Sequence, residues 1–316
     1  MSAYGGTERV IWYLGKELVK LGHQVTYLVN EGSRCDFAKV VFIDSSKSWQ
    51  EQIPKDVELV HFNFPPEEEI QEPYIVTIHG NSNDEKEFDL NSVFVSQNHA
   101  QRFGSDSFVY NGLDWNDYGK VDLGNTRKYF HFLGNAAWRV KNVKGAIDVI
   151  DSCNGERLAV VGGDRLNFRM GIRITLSWKS RFYGMLGGED KLNVMRNSKG
   201  LIFPVRWNEP FGLAIIESLY FGCPVFATPY GSLPELVNAQ CGYLSSSKGD
   251  LVKAVKNAHQ YSKKYCHEYA SDLFNAKKMA LSYLEKYEQV LNGKTLNVSK
   301  PKLKMIQSEK FLEWRD

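Results

Sequence analysis

The chain has 316 residues, of which 43% are hydrophobic, 24% charged and 13% aromatic, an ordinary globular composition. Its length predicts two domains at roughly 100–200 residues each, and 26 Gly with 10 Pro exclude a collagenous or linker-dominated chain. The net charge of +2 conceals an asymmetry: residues 1–120 carry 10 Lys/Arg against 19 Asp/Glu, the remainder 29 against 18.

A basic C-terminal half suits an anionic ligand. Its cations are dispersed and follow no zinc-finger or RNP-type pattern, so nucleic acid is not an expected partner. No apolar run approaches the ~18–20 residues that span a bilayer, and nothing near Met1 reads as a signal peptide. Cys35, Cys153, Cys223, Cys241 and Cys266 are scattered and never form Cys-x-x-Cys. Inert thiols in a reducing, cytoplasmic compartment are expected.

Apolar residues at helical spacing predict a helix over 8–21, stopped by Gly22. Short β-branched runs follow at 25–29, 40–43, 59–62, 74–78, 93–96 and 108–110. The polar segment 112–128 reads as a linker. Beyond it strands at 129–133, 158–161, 200–203 and 224–227 alternate with helices at 143–150, 191–196 and 211–221. Two long helices are expected near 249–262 and 271–291, the second capped by Ser271 and Asp272 and ended by Gly293. Strand–helix alternation predicts an α/β fold of two parallel-sheet domains, over 1–120 and 121–292, with a basic tail at 293–316.

Such a half begins strand, Gly-rich turn, helix. Here Tyr4-Gly5-Gly6 supplies the turn, but only Met1–Ala3 precede it. The expectation is a first strand missing from the N-terminal domain, with truncation upstream or substitution by the tail as explanations.

The sharpest segment is 201–236. Glu209 precedes a helix and Glu217 lies about two turns inside it; eight residues at 3.6 per turn bring both toward one side. The free N–H groups at Phe211-Gly212-Leu213 make an anion site. Gly212 admits a diphosphate close to the backbone. Glu217 can accept from ribose hydroxyls, and Glu209 can meet a sugar.

These residues resemble a family 4 retaining glycosyltransferase, with the GT-B fold of two Rossmann-like domains around a cleft. The likeness extends to Gly5-Gly6-Thr7-Glu8, Leu21-Gly22-His23, Thr77-Ile78-His79 and Asn111-Gly112-Leu113-Asp114. It implies catalytic roles for Glu209, at the donor sugar, and for His79, at the sugar through its ring or a neighbouring carbonyl. It implies that Glu217 holds the ribose and that Phe211, Gly212 and Leu213 bracket the diphosphate. Gly5 and Gly6 would approach the phosphates or acceptor. Without that context His79 is a structural hydrogen bonder and Gly5-Gly6 a tight turn.

One stretch departs from the family. Asn135 stands where the family has Arg, and the loop to Lys144-Gly145 is longer. Lys144 matches the family's lysine. Arg139 is favoured over Lys141 as the second donor-binding cation, because guanidinium grips phosphate bidentately.

The expected reaction moves a sugar from a nucleotide sugar, a UDP- or GDP-sugar, to a hydroxyl of a glycan, lipid-linked sugar or small molecule, with retention. With no Asp-x-Asp in the chain, no essential metal or other cofactor is expected. A GT-B epimerase and a non-catalytic nucleotide-sugar-binding protein are the alternatives. Phe311, Leu312 and Trp314 in the basic tail raise a peripheral contact with an anionic membrane; disorder or packing back onto the domains is the simpler expectation. Acceptor and oligomeric state are not encoded legibly.

Overall fold

The computed structural model describes residues 5–167 and 173–316. The segment expected to hold or lack a first strand, Met1–Tyr4, lies outside them. In chain order come α1 (Gly6–Lys20), β1 (Thr26–Val29), β2 (Lys39–Phe42), α2 (Trp49–Gln52), β3 (Val60–Phe62), β4 (Tyr74–Ile78), β5 (Ser92–Phe94) and α3 (Gln97–Arg102). Then follow β6 (Tyr129–Leu133), α4 (Val143–Asp151), β7 (Leu158–Val161), β8 (Leu166–Asn167), β9 (Arg173–Ile174), β10 (Ser180–Phe182), α5 (Gly188–Arg196) and β11 (Ser198–Phe203). The remainder holds α6 (Leu213–Tyr220), β12 (Val225–Ala227), α7 (Leu233–Leu236), β13 (Gly242–Leu244), α8 (Lys248–Lys256), α9 (Lys263–Leu273) and α10 (Ala276–Leu291).

The chain divides into two compact units. The first joins Gly6–Asp114 to Phe274–Ile306; the second joins Trp115–Leu273 to Gln307–Asp316, together with Gly5. This differs from the expected division at 120/121 and 292/293. The reason is a helix break. The run at 271–291 is not continuous: α9 ends at Leu273, and Asn275, not Ser271 or Asp272, caps α10 by accepting from Lys278 N. Ser271 instead bonds back to His267 O at 2.7 Å inside α9.

In the first unit α1 buries Val10, Tyr13, Leu14 and Leu18. It ends in a Schellman turn, with His23 N on Leu18 O and Gly22 N on Val19 O, both at 3.0 Å. Gly22 supplies the required positive φ of 95°. Two parallel sheets follow, β1–β2 and β3–β4–β5, with no ladder joining them among the described residues. The run at 108–110 contributes only a bridge, Phe108 to Phe94. Helix α10 belongs here because His61 bonds Tyr287 OH at 2.8 Å and Thr77 Oγ1 at 2.7 Å, while Thr77 reaches Tyr283 OH at 2.9 Å. The Asn-Gly-Leu-Asp stretch proves architectural. A Cβ on Gly112 would lie 2.3 Å from Asn275 O, and Asp114 pairs with Lys16 of α1 at 2.8 Å.

The second unit is built on a six-stranded parallel sheet in the order β10-β7-β6-β11-β12-β13. Its four inner strands are buried almost throughout, as expected of a sheet covered on both faces, while the edge strands β10 and β13 bury one residue each. Residues 293–316 form no strand and no helix; they pack as an extended tail. Residues 297–305 bond to 88–90 and 102–103 in the first unit, and 307–315 to the second.

Candidate active site

Strand β6 opens the second sheet from its middle. The chain then winds outward through β7 to β10, and returns to build β11, β12 and β13 on the other side. Between β6 and β11 the winding direction reverses, and the carboxyl ends of such strands form the binding crevice of doubly wound sheets. The loop after β6 carries 134–142 and the loop after β11 carries 204–212. Both motif-bearing stretches therefore fall at the topological switch point.

The loops are stitched together. Arg206 N donates to Val140 O at 2.7 Å. Lys141 Nζ then lies 2.5 Å from Glu209 Oε2, and Trp207 Nε1 donates to the same oxygen at 2.7 Å. The Lys141 ammonium also sits 5.0 Å from the Trp207 ring centre and 5.4 Å from that of Phe203, an attraction that strengthens as water is excluded. Glu209 is buried, and both of its side-chain donors converge on Oε2, leaving Oε1 for another. Its backbone is pressed against Gly231, whose φ is +63° and whose absent Cβ would come 2.3 Å from Glu209 N.

Helix α6 begins two residues later than the sequence suggests. Gly212, at φ 96° and ψ 65°, is its N-cap and supplies no side-chain bond; Ile215 N donates to Gly212 O at 2.9 Å, so it is the Leu213 and Ala214 amides that can meet an anion. Leu213 is the first helical residue. Phe211 turns its ring into the core, and its carbonyl accepts from Ser232 Oγ at 2.6 Å. Glu217 is buried within the helix, and its Oε1 accepts from Lys191 Nζ and Tyr118 OH, each at 2.6 Å. The helix is fastened by His131, which bonds Ser198 Oγ at 2.6 Å and Ser218 Oγ at 2.8 Å. Burial pushes its imidazole down to about 3, so it stays neutral at neutral pH.

The other expected residues are placed as follows. Arg139 is exposed at the start of a short 3₁₀ turn, so Lys141, not Arg139, is the cation that reaches Glu209. The Arg206–Val140 bond sets that turn and sends its third residue inward. Asn135 accepts from Ala137 N at 3.0 Å in a local turn. Lys144 is exposed and pairs with Asp148 of its own helix at 2.6 Å. In the first unit His79 follows β4 and bonds Asn63 Oδ1 at 2.8 Å; burial lowers its pKa to about 4. Gly6 opens α1, with Gly5 just before it.

Residues 115–271 match the model of glycosyl transferases group 1. The chain carries a group 1 glycosyl transferase domain. The O-antigen biosynthesis glycosyltransferase WclY of Escherichia coli is 28% identical over 201 residues, which cover 59% of this chain and 55% of that protein. The chain spans between 32% and 55% of the length of the curated relatives it matches. Among solved structures, AviGT4, a glycosyltransferase of avilamycin A biosynthesis, superposes with a TM-score of 0.73 at 19% identity, covering 93% of this chain and 92% of that one. Anabaena Alr3699/HepE, solved with UDP and glucose, gives 0.64 at 16% identity, with 92% and 98% covered. The fold is that of the GT-B glycosyltransferases.

Within the glycosyl transferase domain three contributors had no motif to announce them. Trp207 stands two residues before Glu209, a signal available in hindsight. Lys191 falls on the inward side of α5 beside Leu192, Val194 and Met195, and a lysine at an apolar register position asks for a buried carboxylate. Tyr118 sits in the polar stretch read as linker and had no signal. Two surface grooves, one lined by Tyr243, Asp250 and Tyr261, the other by Arg127, Glu156, Lys199 and His259, contain none of the site residues. Among the described residues no helix is long and apolar enough to cross a membrane.

Proposed function

We propose that this protein transfers a glycosyl group from a nucleotide sugar to a hydroxyl acceptor, with retention and without a bound metal. The observation that carries the reading is the Glu209 constellation. A carboxylate is clamped through one oxygen by Lys141 and Trp207, beside the uncapped start of α6, at the switch point of a group 1 glycosyl transferase domain. Glu209 Oε1 accepts from a hydroxyl of the donor sugar. The amides of Leu213 and Ala214 and the charge of Lys141 face the diphosphate. In the transfer the bond from anomeric carbon to phosphate oxygen breaks, and the acceptor oxygen bonds to that carbon on the same face. The acceptor proton passes to the departing phosphate oxygen. Preorganised donors that stabilise the leaving charge supply most of the acceleration.

Glu217 holds the ribose in this reading, and Lys144 adds charge to the phosphates. UDP is the first base to test, since the similar HepE was solved with UDP. The acceptor is a glycan or lipid-linked hydroxyl, in keeping with the likeness to an O-antigen glycosyltransferase. The experiment is turnover of a UDP- and GDP-sugar panel in EDTA. One donor is expected to be consumed at an undiminished rate in the chelator. Glu209→Gln should lower kcat about 100-fold or more while nucleotide affinity changes less than threefold. Wild-type kinetics for Glu209→Gln, or complete loss of turnover in EDTA, would overturn the corresponding part of the proposal.

A further inference from the structure

The end of the tail lies along the loops that follow β11, β12 and β13. Leu312 N donates to Arg206 O at 2.9 Å, and Arg206 Nε returns to Leu312 O at 2.8 Å. The Arg206 guanidinium stands 5.3 Å from the Phe311 ring centre. Asn208 Nδ2 donates to Gln307 Oε1 at 3.3 Å. Farther on, Tyr230 OH donates to Glu313 O and Arg315 N to Ser246 O, each at 2.8 Å. The tail thus grips both neighbours of Trp207, Arg206 and Asn208, the second of which adjoins Glu209. Arg206 in turn holds Val140 O through its own N–H at 2.7 Å, which is the bond that carries Lys141 to Glu209.

We propose that Gln307–Leu312 positions the Lys141–Trp207–Glu209 constellation, which makes the tail a working part of the transfer site. The inference rests on the reading of Glu209 given above. Its physical basis is the length of the two side chains. Lysine and glutamate carry large rotamer entropy, so their pairing survives only if both backbones are held. Each backbone is held at Arg206, and Arg206 is held on its other side by residues 311–312. Phe311 and Leu312 are half-buried in this arrangement. A misplacement of ~1 Å at a reacting centre costs about 100-fold in rate.

The test compares the full chain with Phe311→Ala and with a chain ending at Ile306, by hydrogen–deuterium exchange, UDP titration and release of UDP from UDP-glucose. Exchange is expected to rise at least tenfold in peptides spanning 139–142 and 205–209, with 213–220 unchanged. UDP affinity falls no more than about fivefold, since Lys141 loosens while the α6 amides stay in place, and kcat falls at least tenfold. Phe311→Trp, which keeps an aromatic face on Arg206, restores both. Unchanged exchange at 139–142 and 205–209 overturns the proposal. So does a uniform rise across both units with a parallel loss of UDP affinity, because that is general destabilisation. So does an unchanged kcat where Glu209→Gln is inactive. If Glu209→Gln itself retains full turnover, the reading of Glu209 fails instead, and exchange at 139–142 still decides whether the tail holds the turn.

Discussion

Glu209 and Glu217 share one helix boundary but live in different chemistry. Glu209 receives Lys141 and Trp207 on Oε2, whereas Glu217 receives Lys191 and Tyr118 on Oε1. With side chains only 11% and 3% exposed, the Lys191–Glu217 pair is costly to break and cheap to neutralise as a unit. Lys191→Met should therefore destabilise the protein by about 3 kcal/mol, because it strands a buried carboxylate. Adding Glu217→Gln should recover most of that loss. Urea midpoints of the two single variants and the double variant check this, and strictly additive losses would contradict it. The pattern Glu-x7-Glu was legible from the chain alone. The partners of each carboxylate were not, since Lys141 lies 68 residues from Glu209 and Tyr118 lies 99 from Glu217.

At the scale of elements, the loop after β6 shows how a departure from the family pattern is accommodated. The extra residues wind into the 3₁₀ turn at Arg139–Lys141 and finish at Asn142, whose φ of 53° and ψ of 48° place it in the left-handed region. Asn tolerates that conformation better than most residues, and its Oδ1 caps α4 by accepting from Gly145 N at 3.1 Å. Gly145 is needed for closeness: a Cβ there would lie 2.4 Å from Asn142 Nδ2. Asn142→Ala should cost about 1–2 kcal/mol through loss of the cap and left-handed strain. It should also loosen Lys141 next door. Asn142→Gly, which loses the cap but tolerates the dihedrals, should cost less; thermal melts that rank the two in the opposite order would refute this account. The sequence showed the insertion and the helix after it. It did not show that the turn faces Lys141 inward, because that depends on the Arg206–Val140 bond.

For the whole molecule, four histidines, His99 and His131 buried and His61 and His79 half-buried, are held neutral at neutral pH. His61, His99 and His131 are pushed down to about 3 and His79 to about 4, in each case chiefly by burial. Below their ordinary value near 6.5 the unfolded chain takes up protons that the folded chain refuses until pH 3–4. Stability is therefore fully present above about pH 7 and is lost as pH falls from 6.5 toward 4, at about 1.4 kcal/mol per pH unit for each histidine. Melting temperatures should be level between pH 7.5 and 8.5 and fall markedly by pH 5.5. His131→Asn should flatten that dependence by one proton. Equal melting at pH 5.5 and 7.5 would show that these rings are not held neutral.

What the chain determined by itself was local. Period-2 and period-3.6 patterning marked β4, β6 and β7 residue for residue and β1, β2, β3, β5, β11 and β12 to within two positions, whereas β10 and β13 at the edges of the second sheet were not marked. Gly22 and Gly212 sat where positive φ is required. The carboxylate pair and the open helix start were visible together because they lie within one turn-and-helix segment. Tertiary structure alone decided which lysine meets Glu209, which unit receives α10, and where the tail runs. Each of those outcomes depends on a bond between distant residues, such as Arg206 with Leu312 across 106 positions or His61 with Tyr287 across 226. Periodicity and capping act within a few turns of the chain. Such distant bonds form only after the sheets have brought their loops to a common edge.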